Sequence, residues 1–237
     1  MQAARQLQII GNSRKLSCQP GISGDGSSEA FNRLAEVAIP IYHPKKAAVF
    51  AEGQPSRGIF VLYSGRVKLF TSSTTGKICI LRFAGPGEIL GLAGTLLCQP
   101  YEAWAEAIQP TQSGFIARRQ FLDLMRQRSD IAMQVAMQLG ESYCSAIAGV
   151  RAMGLAPSAS QKLALFLLNW SASTRPLHDE RGALFTLTHE EIAQTVGSSR
   201  ETVSRVLSGF KKKGLIRWMG RNLVLTNKPA LENSAAM

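Results

Sequence analysis

Regularly spaced glycines between short apolar runs are the feature that most constrains the fold of residues 39–116. Gly53, Gly65, Gly76 and Gly87 are 12, 11 and 11 residues apart. The β-branched and aromatic runs beside them are residues 47–50, 59–63, 67–70, 78–83 and 113–117. Turns that recur at this interval are typical of antiparallel sandwiches and barrels, in which each run forms one strand. The sequence therefore predicts an antiparallel β-barrel in this region.

After residue 118 the spacing of the apolar residues changes to that of a long helix. Ser129 and Asp130 can cap a helix that continues to about residue 153. Apolar residues recur along it at steps of three and four, which is typical of a coiled-coil seam. The predicted seam is Ala132, Val135, Leu139, Tyr143, Ala146, Val150 and Met153. Such a seam predicts a two-fold homodimer; the alternative is a helix that lies on its own barrel.

Residues 188–207 predict two short helices joined by a sharp turn. Thr188 and Glu191 have the spacing of a capping box, and so do Ser198 and Glu201. Between them, Gly197 permits the left-handed conformation that a sharp turn needs. The residues expected to face inward are Ile192, Ala193, Val196, Val203, Val206 and Leu207. This pattern is typical of a helix-turn-helix; the alternative is an ordinary helical hairpin.

Two further apolar runs, residues 215–218 and 222–225, predict a β-hairpin that makes the motif a winged helix-turn-helix. The predicted fold class is therefore α+β. We expect a flexible arm at 1–28, the barrel at 29–128, the long helix at 129–154, the winged helix-turn-helix at 155–228 and a tail at 229–237.

The charge of the chain indicates a polyanionic partner, either nucleic acid or an acidic membrane surface. Lys and Arg number 27 against 16 acidic residues, which gives a net charge of +11. No apolar run approaches the ~20 residues that span a bilayer, and the N-terminus does not resemble a signal peptide. A cytoplasmic protein with no membrane partner is expected.

The four cysteines form no CxxC pair, which suits a reducing compartment and disfavours a zinc or iron–sulfur site. Cys79, Cys98 and Cys144 are expected to be buried as small apolar side chains.

The exposed face of the second helix carries side chains that can read DNA. Arginine can donate two hydrogen bonds to guanine O6 and N7, and a carboxylate can accept one from cytosine N4. Hydroxyls at a helix N-terminus can hold phosphate. The predicted DNA-contacting residues are Thr188, Ser199, Arg200, Glu201, Thr202, Ser204, Arg205 and Arg221.

The order of barrel, long helix and winged helix-turn-helix resembles the cyclic-AMP receptor protein/FNR (Crp/Fnr) family of bacterial transcription regulators. The resemblance covers about residues 29–226 and is densest in residues 191–205 and in the barrel glycines, including Gly91. It implies a double-stranded β-barrel of the cyclic-nucleotide-binding type that senses an effector, and a long dimerisation helix. It also implies a winged helix that binds a palindromic promoter site, with RNA polymerase as a further expected partner and no enzymatic activity.

The resemblance also implies which bases are read. Arg200, Glu201 and Arg205 match base-reading positions of the cyclic-AMP receptor branch, whereas Glu201, Ser204 and Arg205 match the Glu-x-x-Ser-Arg pattern of the FNR branch. Both TGTGA-like and TTGAT-like half-sites are compatible. We favour TGTGA because Arg200 offers a guanine contact that the FNR pattern lacks.

The effector implied by the family is not expected here. The matching pocket positions are Gly91, Leu92, Tyr101, Glu102, Ser142, Tyr143, Ala146 and Ile147. Leu92 cannot accept a ribose hydrogen bond and Glu102 would repel a phosphate, so cyclic AMP is not expected. The arm contains only Cys18, so the FNR-type iron–sulfur cluster is not expected either. The cofactor is unknown; an apolar or neutral ligand, or none, remains open.

Two alternatives remain open. A haem- or thiol-based redox or gas sensor on the same scaffold needs an axial ligand such as His43, or a reactive thiol. A cupin-like effector module that does not bind DNA would need clustered histidines, which the chain lacks.

Overall fold

The computed structural model describes residues 26–156, 158–172, 178–179, 182–185, 187–220 and 222–236. Most of the predicted arm, residues 1–25, lies outside the described residues. The first helix, α1 (Gly26–Val37), includes the last three residues of the predicted arm, 26–28.

Eight strands form two four-stranded antiparallel sheets that face each other. The strands are β1 (Ile39–His43), β2 (Ala48–Phe50), β3 (Gly58–Ser64), β4 (Val67–Ser72), β5 (Ile78–Ala84), β6 (Ile89–Leu90), β7 (Trp104–Ala107) and β8 (Thr111–Ala117). Their order is β1-β8-β3-β6 in one sheet and β2-β7-β4-β5 in the other. The predicted antiparallel barrel is therefore confirmed.

Strand β3 connects the two cores of this domain because its side chains alternate between opposite faces of the sheet. Phe60 and Leu62 point into the core between the sheets. Ile59 and Val61 point the other way, into a second core that is covered by helices. Strand β3 is therefore buried on both faces, which explains its almost uninterrupted apolar sequence.

The predicted glycine turns are confirmed, since Gly53, Gly65, Gly76 and Gly87 all have positive φ. Gly65 is the most restricted of them: a Cβ there would lie 2.3 Å from the Thr111 hydroxyl oxygen. Both the backbone angle and the available space therefore require glycine at this turn.

Three helices follow or interrupt the strands: α2 (Leu92–Leu97), α3 (Arg118–Gln127) and the 27-residue α4 (Ser129–Leu155). The first half of α4 packs on the barrel through Ile131 and Val135, which are 0% and 1% exposed. Leu139 is half-buried against the same core. The prediction that Val135 lies in a dimer seam is therefore wrong, because its side chain is covered by the chain's own barrel.

A different set of α4 residues is exposed, and we call it the outer stripe. It consists of Met133, Ala136, Gly140, Tyr143, Ile147 and Val150. Their steps alternate between three and four residues, which is the heptad spacing of a coiled-coil seam. The outer stripe retains Tyr143 and Val150 of the predicted seam. Helix α4 thus lies on its own barrel along one face and exposes an apolar face along another.

Gln138 attaches α4 to the edge of the barrel. Strand β6 is an edge strand of its sheet. The Gln138 side chain is 3% exposed, its Oε1 accepts from the Ile89 backbone N–H at 3.0 Å, and its Nε2 donates to the Ile89 carbonyl at 2.6 Å. One side-chain amide therefore takes the place of a neighbouring strand.

The C-terminal domain contains helices α5 (Ala159–Ala172), α6 (His189–Val196), α7 (Arg200–Lys212) and α8 (Lys228–Ala236). Its four-stranded sheet has the order β11-β12-β10-β9. The strands are β9 (His178–Asp179), β10 (Gly182–Phe185), β11 (Ile216–Met219) and β12 (Asn222–Leu225). The predicted tail at 229–237 is instead part of α8 up to residue 236, and Leu231 is 0% exposed in the core of this domain.

The C-terminal domain packs against the barrel through α6, which lies against strand β5. Phe83 of β5 joins the C-terminal core, and its ring centroid is 5.0 Å from that of Trp170 on α5. Ile108, between β7 and β8, packs against the same core. The two domains therefore share an apolar contact.

Candidate nucleic-acid interface

Helix α6 begins with the predicted capping box. The Thr188 hydroxyl oxygen accepts from the Glu191 backbone N–H at 3.1 Å, and the Glu191 carboxylate accepts from the Thr188 backbone N–H at 2.8 Å. Two N–H groups that a helix start leaves unpaired are thereby satisfied. This part of the prediction is confirmed.

The turn between α6 and α7 is also as predicted, but the second cap is not. Gly197 has φ 65° and its N–H donates to the Ala193 carbonyl. The Ser198 N–H donates to that same carbonyl, so Ser198 belongs to the turn. Ser199 is the N-cap of α7, and its hydroxyl accepts from the Thr202 N–H at 3.2 Å. The predicted Ser198–Glu201 capping box is therefore wrong by one residue.

Helix α7 has one buried side and one side that faces solvent. Val203, Leu207 and Phe210 are at most 4% exposed in the domain core. The side chains of Arg200, Glu201 and Arg205 are exposed, as are Thr188 at the start of α6 and the Ser199 cap. Thr202 and Ser204 are half-buried, and Arg221 lies outside the described residues.

Glu201 presents an ionised carboxylate on this face. Its pKa is lowered by a hydrogen bond from its own backbone N–H, by the Ser199 hydroxyl and by the nearby Arg200 guanidinium. A carboxylate that accepts several hydrogen bonds is stabilised in its charged form. Because α7 ends with the exposed Lys211, Lys212 and Lys213, most of the charge on this side of the domain is positive.

His189 is a contact that the sequence did not reveal. It is the first residue of α6, and its Nδ1 lies 2.7 Å from the Ser204 hydroxyl oxygen on α7. Its ring centroid lies 5.7 Å from that of Trp218 on β11, with the planes tilted by 39°. Since β11 and β12 form the predicted wing hairpin, His189 contacts the recognition helix and the wing together. No spacing rule links positions 189, 204 and 218, so only the fold shows this contact.

One barrel position that corresponds to the family's effector pocket is occupied by the chain's own Tyr101 side chain. Tyr101 is 3% exposed, its ring stacks on Phe50 with centroids 4.1 Å apart, and its hydroxyl donates to the Gly58 carbonyl at 2.7 Å. Burial raises the pKa of Tyr101. Gly91 makes room for the ring, because a Cβ there would lie 2.6 Å from Tyr101 Cε1.

The other predicted pocket residues differ in their surroundings. Leu92 is buried in the core beneath the helices, while Glu102 is exposed. Tyr143, Ala146 and Ile147 are exposed on α4, and Ser142 beside them is half-buried.

Arg82, on strand β5, carries a positive charge close to the predicted pocket residue Glu102. Its guanidinium contacts Glu88 at 2.5 Å. Burial lowers its pKa, and Glu102 and Glu141 oppose that shift. Glu141 is on α4, so the long helix contributes to the electrostatic environment of this barrel residue.

The structure changes the expectation about the cysteines. Cys98 and Cys144 are exposed and Cys79 is half-buried, so the prediction that all three are buried is wrong. His43 is 5% exposed, and its Nε2 lies 2.9 Å from the Ser113 hydroxyl oxygen. Within the described residues, no group of three or more His, Cys, Asp or Glu side chains could hold a metal ion.

Known families match both halves of the chain. The cyclic nucleotide-binding domain family matches residues 40–128, and the Crp-like helix-turn-helix domain family matches residues 161–234. Together these matches cover most of the sequence. Among the described residues, no helix is long and apolar enough to cross a membrane.

Relatives with known roles match over most of their length. The "Cyclic AMP receptor protein" of Thermus thermophilus is 29% identical over 189 residues, which cover 80% of this chain and 84% of that protein. The "CRP-like cAMP-activated global transcriptional regulator" of Mycobacterium tuberculosis is 25% identical over 232 residues, which cover 93% of this chain and 99% of that protein.

Solved structures share the architecture. FixK2 from Bradyrhizobium japonicum has a TM-score of 0.74 at 23% identity, over 85% of this chain and 98% of its own. A CRP-family transcriptional regulator from Thermus thermophilus has a TM-score of 0.68 at 25% identity, over 83% and 97%. With both domain families matched in the order that the fold shows, the chain belongs to the Crp/Fnr family of transcription regulators and carries a helix-turn-helix DNA-binding domain.

Proposed function

We propose that the chain acts as a homodimer that binds a palindromic promoter site with TGTGA-like half-sites, TTGAT-like half-sites being the second candidate. The observation that carries this proposal is the two-sided character of α7. Its buried side fixes the helix in the domain, so Arg200, Glu201 and Arg205 are held outward together. Arginine suits the guanines of TGTGA and its complement, and the ionised Glu201 suits a cytosine N4 donor.

The outer stripe of α4 supports the homodimer. Its Met133, Tyr143 and Val150 are 62%, 69% and 63% exposed, which is unusual for a row of large apolar side chains. Two stripes packed about a two-fold axis would bury these side chains, and the two recognition helices could then enter successive major grooves about 34 Å apart.

Ile147 gives the direct test of the dimer. Ile147→Glu places a charge in the stripe, whereas Ser145→Glu places the same charge at an exposed position of α4 outside the stripe. Sedimentation is expected to give a dimer for wild type and Ser145→Glu and a monomer for Ile147→Glu. A dimer in all three proteins would place the interface elsewhere.

We propose that the barrel responds to an effector other than cyclic AMP, or that it binds no effector. Tyr101 occupies the position where the family's cyclic phosphate would be held, and its hydroxyl is already paired with the Gly58 carbonyl. Leu92 and Glu102 offer no suitable group to a cyclic nucleotide. Calorimetric titration with cyclic AMP is expected to show no binding; saturable binding at micromolar nucleotide would overturn this part.

The site itself is tested by selecting bound sequences from a random DNA pool, with and without a small-molecule extract. Arg205→Ala is then compared with Arg126→Ala, which removes the same charge from an exposed position on α3. Loss of a base contact is expected to cost about 1–3 kcal/mol of discrimination in Arg205→Ala only. If Arg205→Ala selects the same site with unchanged preference, the assignment of the recognition helix is wrong.

A thiol-based sensor on the same scaffold is the second candidate, and the exposure of Cys98 and Cys144 favours it. Accessible thiols can be oxidised, whereas buried ones are inert. In that case peroxide would change DNA affinity, and Cys98→Ser or Cys144→Ser would remove the change. Equal affinity of the reduced and the peroxide-treated protein would exclude it.

A further inference from the structure

His189 contacts two elements of the helix-turn-helix domain, α7 and the wing strand β11. Its Nδ1 is 2.7 Å from the Ser204 hydroxyl oxygen, which is a hydrogen-bond distance. Its ring lies beside Trp218 of the wing. Helix α6 already has a complete capping box in Thr188 and Glu191, so the imidazole is not needed to start the helix.

A serine hydroxyl has one proton and can rotate, so a free serine can donate to one base and accept from another. A bond to an imidazole nitrogen restricts this freedom. If Nδ1 accepts, the proton points at the ring, and Ser204 offers only lone pairs to DNA. If Nδ1 donates, the O–H of Ser204 is directed away from the ring, and it can donate to a base. The tautomer of His189 therefore decides whether the Ser204 proton points at the ring or can point at a base.

We propose that His189 is a positioning residue for sequence specificity: through its bond to the Ser204 hydroxyl it fixes whether the hydroxyl proton points at the ring or toward a base edge. The proposal rests on the proposed function, in which Ser204 lies on the DNA-reading face of α7. The major groove distinguishes base pairs by their pattern of donors and acceptors. Fixing the role of a single hydroxyl therefore changes the preference at one base pair without adding a contact.

The location of the His189 ring explains how the Ser204 hydroxyl is kept in one orientation. His189 is half-buried between α7 and β11. Trp218 limits the orientations of the imidazole, and the imidazole limits those of the hydroxyl. The next residue on α7 is Arg205, which is exposed. The oriented hydroxyl therefore lies next to a side chain that is itself expected to read a base.

Three variants separate this role from a merely structural one. His189→Phe keeps an aromatic ring beside Trp218 and removes the nitrogen. His189→Asn places an amide near the position of Nδ1 and so keeps a hydrogen-bond partner for Ser204. His189→Gln carries the amide one carbon further out, and it serves as a second disruptive variant if His189→Phe does not fold. The double variant His189→Phe/Ser204→Ala completes a cycle with the single changes.

The measurement is fluorescence anisotropy with the DNA site that the wild type selects, and with every single-base-pair substitution in one half-site. His189→Phe and His189→Gln are expected to lose about tenfold discrimination at one base pair, the same pair at which Ser204→Ala loses it. His189→Asn is expected to retain it. In the Ser204→Ala background, His189→Phe should change nothing further at that pair.

Two results would overturn the proposal. One is an equal loss of affinity of His189→Phe for all sequences; the other is an undiminished effect of His189→Phe at that base pair in the Ser204→Ala background. A wild-type protein that selects no sequence would instead overturn the proposed function on which this inference rests.

Discussion

Replacing Gln138 with leucine tests how strongly the long helix is attached to the barrel. The substitution conserves much of the volume but removes both hydrogen bonds to Ile89, at 3.0 and 2.6 Å. The Ile89 N–H and C=O then lack partners at a site where the replaced side chain was 3% exposed. Each buried group left unpaired costs about 1–3 kcal/mol. Leucine returns about 1 kcal/mol through its apolar surface, so we expect a net loss of about 3 kcal/mol.

The assay is urea unfolding followed by far-ultraviolet circular dichroism, at one protein concentration because self-association would shift the midpoint. Gln134→Leu is the control, since Gln134 is one turn earlier on α4 and only half-buried. Its free energy of unfolding is expected to change by no more than about 0.5 kcal/mol. A loss below about 1 kcal/mol in Gln138→Leu would refute the reasoning, because the two bonds would then contribute no more than surface contacts.

Three further predictions concern the cap, the pocket and the pH dependence. Thr188→Ala removes the cap of α6 and is expected to cost about 1 kcal/mol of stability, measured by thermal unfolding; an unchanged melting temperature would contradict it. Gly91→Ala is expected to be strongly destabilising because φ is +75° and the new Cβ would meet the Tyr101 ring, whereas Gly85→Ala, with nothing within 4 Å, serves as its control. Burial lowers the pKa of His43 below its ordinary 6.5, so the unfolded chain binds a proton that the folded chain does not. Stability should therefore decline as the pH falls below 6.5, and it should decline less in His43→Gln; identical pH profiles for the two proteins would refute this.

The features that the sequence predicted best were caps and turns, which depend on residues close together along the chain. The capping box of Thr188 and the left-handed Gly197 depend on residues a few positions apart, so composition and spacing were enough to predict them. The barrel turns followed from glycine for the same reason. The cap of α7 was placed one residue early because two adjacent serines are equivalent in sequence. Only the hydrogen bond of the Ser198 N–H to Ala193 distinguishes them.

Features that depend on contacts between distant residues could not be predicted from the sequence. Helix α4 has apolar residues on two faces, and its sequence does not state which face the barrel covers; Val135 was therefore assigned to the wrong one. Helix α8 has a single large apolar side chain, Leu231, which is fully buried, so its sequence shows no amphipathic pattern that would predict it. The insertion of Tyr101 against Phe50 and the contact of His189 with Ser204 join positions far apart along the chain.

The docking of α6 on β5 has a consequence for dissecting this protein into parts. Strand β5 ends its sheet, and a bare edge of this kind can recruit strands of other molecules. The helix that precedes the recognition helix lies against this strand, and Phe83 is sheltered by Trp170 of the neighbouring helix. A fragment that ends after α4 would expose both the strand and the phenylalanine. We therefore expect such a fragment to aggregate more readily than the full chain.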